Sequence, residues 1–267
     1  MSMLTTARGD RIVYDDRGPV GAPAVIFVTG AGPTRVEDPT THATAERLAA
    51  SGFRSLFADR LGRGESVSAG TITLDAQIDA IVELAAATQS LVVLVGHSSG
   101  CAIAMLAASR LPDLAGLALW EAPLGLFPEG APAWWQAIRE SIDAGALEEA
   151  VARYMAGMPP EWLEQLKASP DYPDLALSWV PDGEALALVE QRGYRESLVS
   201  VSAPVLALTG TETFPGMRET ADEIAGAAAH GSAEQLLGSE HSWDPNAMAE
   251  RLARLLSEAR RSGPAQD

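Results

Sequence analysis

Cysteine is nearly absent from this sequence of 267 residues, which contains only Cys101. One cysteine cannot form a disulfide within the chain, so no disulfide framework holds the fold together. Metal sites built from several thiolates also need more than one cysteine. The protein must therefore rely on a hydrophobic core, and a chain of this length is expected to form one large domain, with or without an insertion.

Basic residues are scarce as well, since 19 Lys+Arg stand against 36 Asp+Glu and give a formal net charge of −17. Because phosphate groups are bound by clustered cations, this balance argues against a nucleic acid or an anionic membrane as partner. No apolar run approaches the roughly 18 residues that cross a bilayer, and the first residues lack the apolar core of a signal peptide. We expect a cytoplasmic protein that binds neither nucleic acid nor membrane.

Short apolar runs alternate with segments of helical spacing along most of the chain. The runs are Ala24–Val28, Arg54–Ala58, Leu91–Val95, Leu114–Trp120, Pro204–Leu208 and Ala233–Leu237. Runs of this length suit strands of a parallel sheet that is buried on both faces. Apolar residues recur at helical spacing in Thr41–Ser51, Leu74–Thr88 and Asn246–Arg260. The alternation predicts an α/β protein with a mostly parallel central sheet flanked by helices, and Arg11–Asp15 would add an antiparallel strand at its edge.

The alternation stops between residues 123 and 201, where helical segments are joined by proline-rich turns. This stretch predicts a helical cap inserted between two strands of a core made of residues 1–122 and 202–267. Four of the six tryptophans lie there. Large amphipathic rings suit concave small-molecule sites, so Trp134, Trp135 and Trp162 are candidate pocket residues. The alternative is that these rings only pack the cap together.

The strongest chemical signal is the sequence Gly96-His97-Ser98-Ser99-Gly100, which follows an apolar run and leads into a helix-like segment. Gly-x-Ser-x-Gly between a strand and a helix is the context of a nucleophile elbow, in which a sharp turn exposes the serine. The following helix directs its N-terminal N–H groups at the reaction centre, where negative charge develops. The pattern predicts that Ser98 is a nucleophile.

With this elbow the chain resembles the α/β-hydrolase fold family over nearly its whole length. The stretch Asp59–Ser66 is similar to the family's Asp-x-x-Gly-x-Gly-x-Ser turn after an early strand. His241 lies beyond the last predicted strand, where the family has its catalytic histidine. The resemblance implies that Ser98 attacks the substrate and that His241 is the general base. The other histidines are interpreted as structural or surface residues: His42, His97 and His230.

The acid of a Ser–His–acid triad has two candidates. The family usually carries an Asp after the strand that follows the cap, but here Thr213 stands at that position and Glu212 precedes it. Some members, haloalkane dehalogenases among them, carry the acid at the end of the preceding strand, where this chain has Glu121. A carboxylate directly after a buried apolar strand is costly unless it is paired or hydrogen-bonded. This argument favours Glu121, with Glu212 as the alternative.

The oxyanion hole departs from the common family sequence. Family members usually have His-Gly after the first core strand, whereas this chain has Thr29-Gly30. Because a backbone N–H binds the oxyanion, the change of side chain does not by itself remove the site. The resemblance implies that the N–H groups of Ala31 and Ser99 form the hole.

Together, the residues and the resemblance predict a serine hydrolase that cleaves a carboxylic ester or lactone with an apolar or aromatic body through an acyl-serine intermediate. No cofactor is expected, and the sequence contains no phosphate loop or metal-ligand motif. Two alternatives stay open. One is hydrolysis of a carbon–carbon bond in a diketone by the same triad, and the other is a catalytically silent protein that keeps the pocket for ligand binding.

Overall fold

A mostly parallel sheet of eight strands forms the centre of the computed structural model, which describes residues 1–262. In chain order the strands are β1 (Ser2–Thr5), β2 (Arg11–Arg17), β3 (Ala24–Val28), β4 (Arg54–Ala58), β5 (Val92–His97), β6 (Leu114–Trp120), β7 (Val205–Gly210) and β8 (Gly231–Leu236). Their order across the sheet is β1-β2-β4-β3-β5-β6-β7-β8. Within this sheet the pairs β1–β2 and β2–β4 are antiparallel, and the remaining pairs are parallel. The predicted fold class is confirmed.

The inner strands are apolar throughout because helices cover both faces of the sheet. All five residues of β3 are buried, and alternate residues enter different cores: Ile26 packs on one face, and Val25 and Phe27 pack on the other. Side chains alternate across a strand, so a strand buried on both faces shows a continuous apolar run. This is why the runs at β3, β4 and β6 predict the strand bounds without error.

The outer strands differ from the predictions. β2 is antiparallel as expected, but the sheet edge is formed by β1, which the sequence pattern does not predict. Strand β8 begins two residues earlier than predicted and is not buried on both faces, because it is the other edge and its residues alternate between exposed and half-buried. An edge strand with one solvated face shows alternation in place of a continuous apolar run.

Eleven α-helices cover the sheet within the described residues. They are α1 (Pro39–Ala50), α2 (Leu74–Thr88), α3 (Gly100–Ala108), α4 (Ala131–Asp143), α5 (Leu147–Tyr154), α6 (Pro160–Lys167), α7 (Leu175–Ser178), α8 (Val180–Arg192), α9 (Tyr194–Leu198), α10 (Met217–Ala227) and α11 (Pro245–Ser262). α1 and α11 pack together on one face, and α2 and α3 cover the other. Within residues 1–262, none of the helices combines the length and apolar character that crossing a bilayer requires.

Six of these helices, α4 to α9, lie between β6 and β7 in the stretch that the sequence predicts to be a cap; we call residues 123–201 the insertion. The insertion contacts the rest of the protein mainly through α8, which packs on α2 and α3. Within it, α4 packs closely on α8 at Gly183, where a Cβ atom would lie 2.0 Å from the ring of Trp135. Glycine permits this approach because it has no side chain.

Candidate active site

Ser98 lies in the turn between β5 and α3 and has a φ angle of 56°. Positive φ is strained for a residue with a side chain, and such strain persists only where the surrounding structure fixes it. The N–H of Ser98 donates to the carbonyl of Trp120 at 3.0 Å, which ties the turn to the end of β6. The predicted elbow geometry is therefore present at this serine.

Glu121 follows β6 directly and holds His241. Nδ1 of His241 donates to Oε2 of Glu121 at 2.6 Å, and the N–H of Gly210 donates to Oε1 at 3.0 Å. Burial disfavours the charge on this carboxylate, but the hydrogen bonds outweigh burial and lower the pKa of Glu121 below its usual value. The carboxylate is therefore ionised at neutral pH, so it fixes the proton of the imidazole on Nδ1 and leaves Nε2 able to accept one.

Glu212 makes no such contact, because its side chain is exposed in the loop after β7. Thr213, at the position where the family usually carries its acid, lies near the carboxylate of Glu121 and helps to lower its pKa. Its hydroxyl does not meet the geometry of a hydrogen bond. Of the two acid candidates, the structure brings only Glu121 to His241.

His241 is carried by a tight hairpin between two short strands, β9 (Gly238–Ser239) and β10 (Ser242–Trp243). The two turn residues, Glu240 and His241, both have positive φ angles, 51° and 66°. Two-residue hairpins of the type that needs positive φ at both positions match the twist of the paired strands. The hairpin thus presents the imidazole at the end of the sheet where Ser98 and Glu121 lie.

His97 packs against this hairpin and contacts its backbone. Its Nε2 lies 2.9 Å from the carbonyl oxygen of His241, and the two ring centroids are 4.9 Å apart. Burial and the neighbouring His241 lower the pKa of His97 to about 4, so the ring is neutral at pH 7 and can donate from Nε2. The indole N–H of Trp120 donates to the same carbonyl at 3.1 Å. His97 therefore has a structural position, as expected from the sequence.

The two predicted oxyanion donors lie next to each other. The loop of Gly30 approaches the elbow so closely that a Cβ atom there would lie 2.8 Å from Cβ of Ser98. The N–H of Ala31 donates to Oγ of Ser99 at 3.1 Å, so an oxyanion would have to replace or share this bond. Ser99 precedes the first residue of α3, and its N–H belongs to the groups that helical hydrogen bonds leave open.

A buried charge cluster beneath this loop is not predicted by the sequence. Arg60 and Arg63, from the turn after β4, both donate to Oδ2 of Asp182 in α8, and the hydroxyl of Ser99 donates to Oδ1 at 2.7 Å. All three charged side chains are less than a tenth exposed. Burial, followed by the neighbouring Arg60, lowers the pKa of Arg63 to about 10, so the guanidinium stays charged at pH 7. Arg60 and Arg63 belong to the Asp59–Ser66 motif, but nothing in the sequence connects that motif to Asp182.

The three candidate pocket tryptophans occupy different surroundings. Trp162 lies beside the site, with its ring centroid 6.3 Å from that of His241, and Phe214, which the sequence does not single out, lies 5.9 Å from His241. Trp134 is half-buried and packs on other aromatic rings. Trp135 is buried against α8, so its ring packs the insertion together.

Cys101 lies directly beneath the elbow. Its side chain is fully buried, Sγ donates to the carbonyl of Trp120 at 3.3 Å, and burial raises the pKa of the thiol well above its usual value. The thiol is therefore protonated and acts as a packing residue. Across residues 1–262, no three His, Cys, Asp or Glu side chains are grouped so that they could hold a metal ion.

Known proteins resemble this chain over most of its length. The model of the Alpha/beta hydrolase family matches residues 25–255. The crystal structure of an alpha/beta hydrolase from Sphaerobacter thermophilus superposes with a TM-score of 0.75 and 24% sequence identity. The match covers 95% of this chain and 99% of the other chain. A thermophilic esterase from Thermogutta terrifontis is 23% identical with a TM-score of 0.58, covering 97% of both chains. A haloalkane dehalogenase loop variant from Bradyrhizobium elkanii is 17% identical with a TM-score of 0.68, covering 98% of this chain and 97% of its own. Among curated proteins, none matches significantly. The chain belongs to the alpha/beta hydrolase family.

Proposed function

We propose that this protein is a serine hydrolase that cleaves a carboxylic ester or lactone through an acyl-serine intermediate. The observation that carries the proposal is the 2.6 Å hydrogen bond between Glu121 and His241 next to the strained turn of Ser98. A serine hydroxyl is a weak nucleophile unless an oriented base removes its proton. An ionised glutamate on the far nitrogen of the imidazole provides that orientation.

In the proposed reaction, Oγ of Ser98 attacks the carbonyl carbon while its proton passes to Nε2 of His241. The imidazolium is stabilised by the charge of Glu121, and the carbonyl oxygen, now negative, is bound by the N–H groups of Ala31 and Ser99. The imidazolium then protonates the leaving alcohol, which departs as the ester bond breaks. A water molecule, deprotonated by His241, attacks the acyl-serine, and the acid product leaves with Ser98 restored.

The proposed substrate has an apolar or aromatic body. Trp162 and Phe214 border His241, with ring centroids 6.1 Å apart, and so offer an aromatic wall to a bound group. Because Trp162 belongs to the insertion, residues 123–201 would serve as the cap that covers the site. A chain with a net charge of −17 also repels anions at long range, which favours neutral esters.

The test is labelling with a fluorophosphonate probe, followed by assays with p-nitrophenyl esters of increasing chain length. We expect the wild-type protein to be labelled at Ser98, and Ser98→Ala to abolish labelling and reduce hydrolysis by several powers of ten. His241→Ala should reduce hydrolysis similarly, and the double variant should be little worse than either single one because triad members act as a unit. A properly folded Ser98→Ala protein with full activity would contradict the mechanism. A wild-type protein that is neither labelled nor active would favour a catalytically silent ligand-binding protein.

A further inference from the structure

The peptide unit between Gly30 and Ala31 is held at its carbonyl by a buried guanidinium. Nη1 of Arg63 donates to the carbonyl oxygen of Gly30. The N–H of the same peptide unit is that of Ala31, one of the two donors in the proposed oxyanion hole. A peptide unit is planar, so a contact that fixes the direction of its C=O also fixes the direction of its N–H.

Arg63 is itself held by the insertion. Its Nε donates to the hydroxyl of Ser178 at 3.2 Å, and its Nη2 donates to the carbonyl of Ser178 at 3.2 Å and to Asp182 at 2.7 Å. The side chain is only 6% exposed. A chain of hydrogen bonds thus runs from α7 and α8 of the insertion, through one guanidinium, to the peptide at the elbow.

We propose that Arg63 is a positioning residue of the oxyanion hole: it orients and polarises the Gly30–Ala31 peptide, and the insertion holds it in place through Asp182 and Ser178. This inference rests on the proposed function. A hydrogen bond from a charged donor to a carbonyl polarises the amide and makes its N–H a stronger donor, because hydrogen bonds in a chain reinforce one another. Electrostatic stabilisation of an oxyanion also depends on donors that are fixed before the reaction starts.

The competing explanation is that the ion pair of Arg63 with Asp182 only stabilises the fold. The variant Arg63→Met distinguishes this structural role from a role in positioning the oxyanion hole. The variant leaves Arg60 paired with Asp182, so the buried carboxylate keeps one cationic partner. Arg153→Met is the control, because Arg153 lies in the insertion but does not contact Arg63 and pairs with Glu149 on the exposed surface. The measurements are kcat and KM for a p-nitrophenyl ester and the inhibition constant of a trifluoromethyl ketone, which forms a tetrahedral oxyanion on the serine.

Removing one direct oxyanion donor lowers kcat by about a hundredfold to a thousandfold, so an indirect effect should be smaller. We expect Arg63→Met to lower kcat by about tenfold to a hundredfold, to weaken the ketone by a similar factor and to change KM less than about threefold. Arg63→Lys keeps the charge but not the planar fork, so it should recover part of the loss. If kcat and ketone affinity fall only in proportion to the folded fraction of Arg63→Met, the proposal is wrong.

An NMR measurement decides the question without relying on activity. In protein labelled with ¹³C at glycine carbonyls and ¹⁵N at alanine, carbonyl–amide correlations arise only from the five Gly-Ala pairs of the sequence. The Gly30–Ala31 signal should shift in Arg63→Met and, to a lesser extent, in Arg63→Lys, while the other four stay in place. An unmoved signal in folded protein overturns the proposal. A wild-type protein that is inert to esters and fluorophosphonate defeats the proposed function, yet this signal still reports whether Arg63 holds the peptide.

Discussion

Replacing Glu121 by glutamine tests the proposed triad at the point where this chain departs most from the common family sequence. The amide of Glu121→Gln could keep the hydrogen bond from Gly210, because its oxygen can still accept. Its NH₂ group would then face Nδ1 of His241, which could no longer donate. The imidazole would carry its proton on Nε2, the nitrogen that has to accept the proton of Ser98, and the positive charge that forms later would have no anion beside it.

The expected loss in kcat is about a thousandfold to ten-thousandfold, similar to the loss when the acid of a serine triad is replaced by its amide. This corresponds to about 4 to 5.5 kcal/mol of lost transition-state stabilisation. KM should change little, since Glu121 is buried behind His241 and is not expected to contact the substrate. The assay is steady-state hydrolysis of a p-nitrophenyl ester, with Glu212→Gln as the matched control because Glu212 is exposed. Glu212→Gln should cost less than roughly tenfold. The reverse ranking would assign the role to Glu212, and full activity in both variants would refute a triad acid altogether.

Further predictions concern the insertion, the buried charges and the pH dependence of stability. Trp162→Ala should raise KM or shift the preferred chain length with little loss of stability, whereas Trp135→Ala should lower the unfolding free energy by about 3 to 5 kcal/mol with little change in KM. Thermal unfolding and steady-state kinetics distinguish these outcomes, and identical behaviour of the two variants would contradict the assignment. Asp182→Asn should cost about 3 to 5 kcal/mol in urea unfolding, because it leaves two buried guanidinium groups without a carboxylate, while Asp143→Asn at an exposed pair should cost less than about 1 kcal/mol. The pKa of His97 is about 4 in the folded protein and about 6.5 when unfolded. As pH falls between these values the unfolded chain binds the proton first, so stability is lost; His97→Asn should reduce this loss by on the order of 1 to 3 kcal/mol, measured by urea unfolding at both ends of the range.

The fold was predictable for strands that are buried on both faces of the sheet, and for helices with a clear cap and a regular apolar side. Helix α2 has the predicted bounds because Thr73 caps its first turn and apolar residues recur on one side. Strand β1 was not predictable, since its four residues alternate between exposed and half-buried and carry no apolar run. It forms by pairing with β2, a contact that local sequence does not encode.

The site was predictable only in part. The elbow is a local pattern, so Ser98 follows from neighbouring residues, and His241 follows from the resemblance to the family. Which of Glu121 and Glu212 lies against His241 depends on contacts between residues more than a hundred positions apart, such as the hydrogen bond from His241 to Glu121. The pairing of Arg60 with Asp182 likewise joins positions 122 residues apart. The first contact depends on how the hairpin of His241 packs against the end of β6, and the second on how the insertion packs on the core. No local pattern determines either one.

The position of Glu121 at the end of β6 has a consequence for how this protein could evolve or be engineered. Ser98 and Glu121 follow the ends of the adjacent strands β5 and β6, so in the proposed triad the loop at residues 211–216 does not have to supply a charged group. That loop still carries Phe214 to the side of His241. If Glu121 is the acid, residues 214–216 can therefore be randomised to select for new substrates. Residues 211–213 have to stay, because Thr211 and Glu212 bond to Gly238 of the hairpin that carries His241 and Thr213 helps to lower the pKa of Glu121.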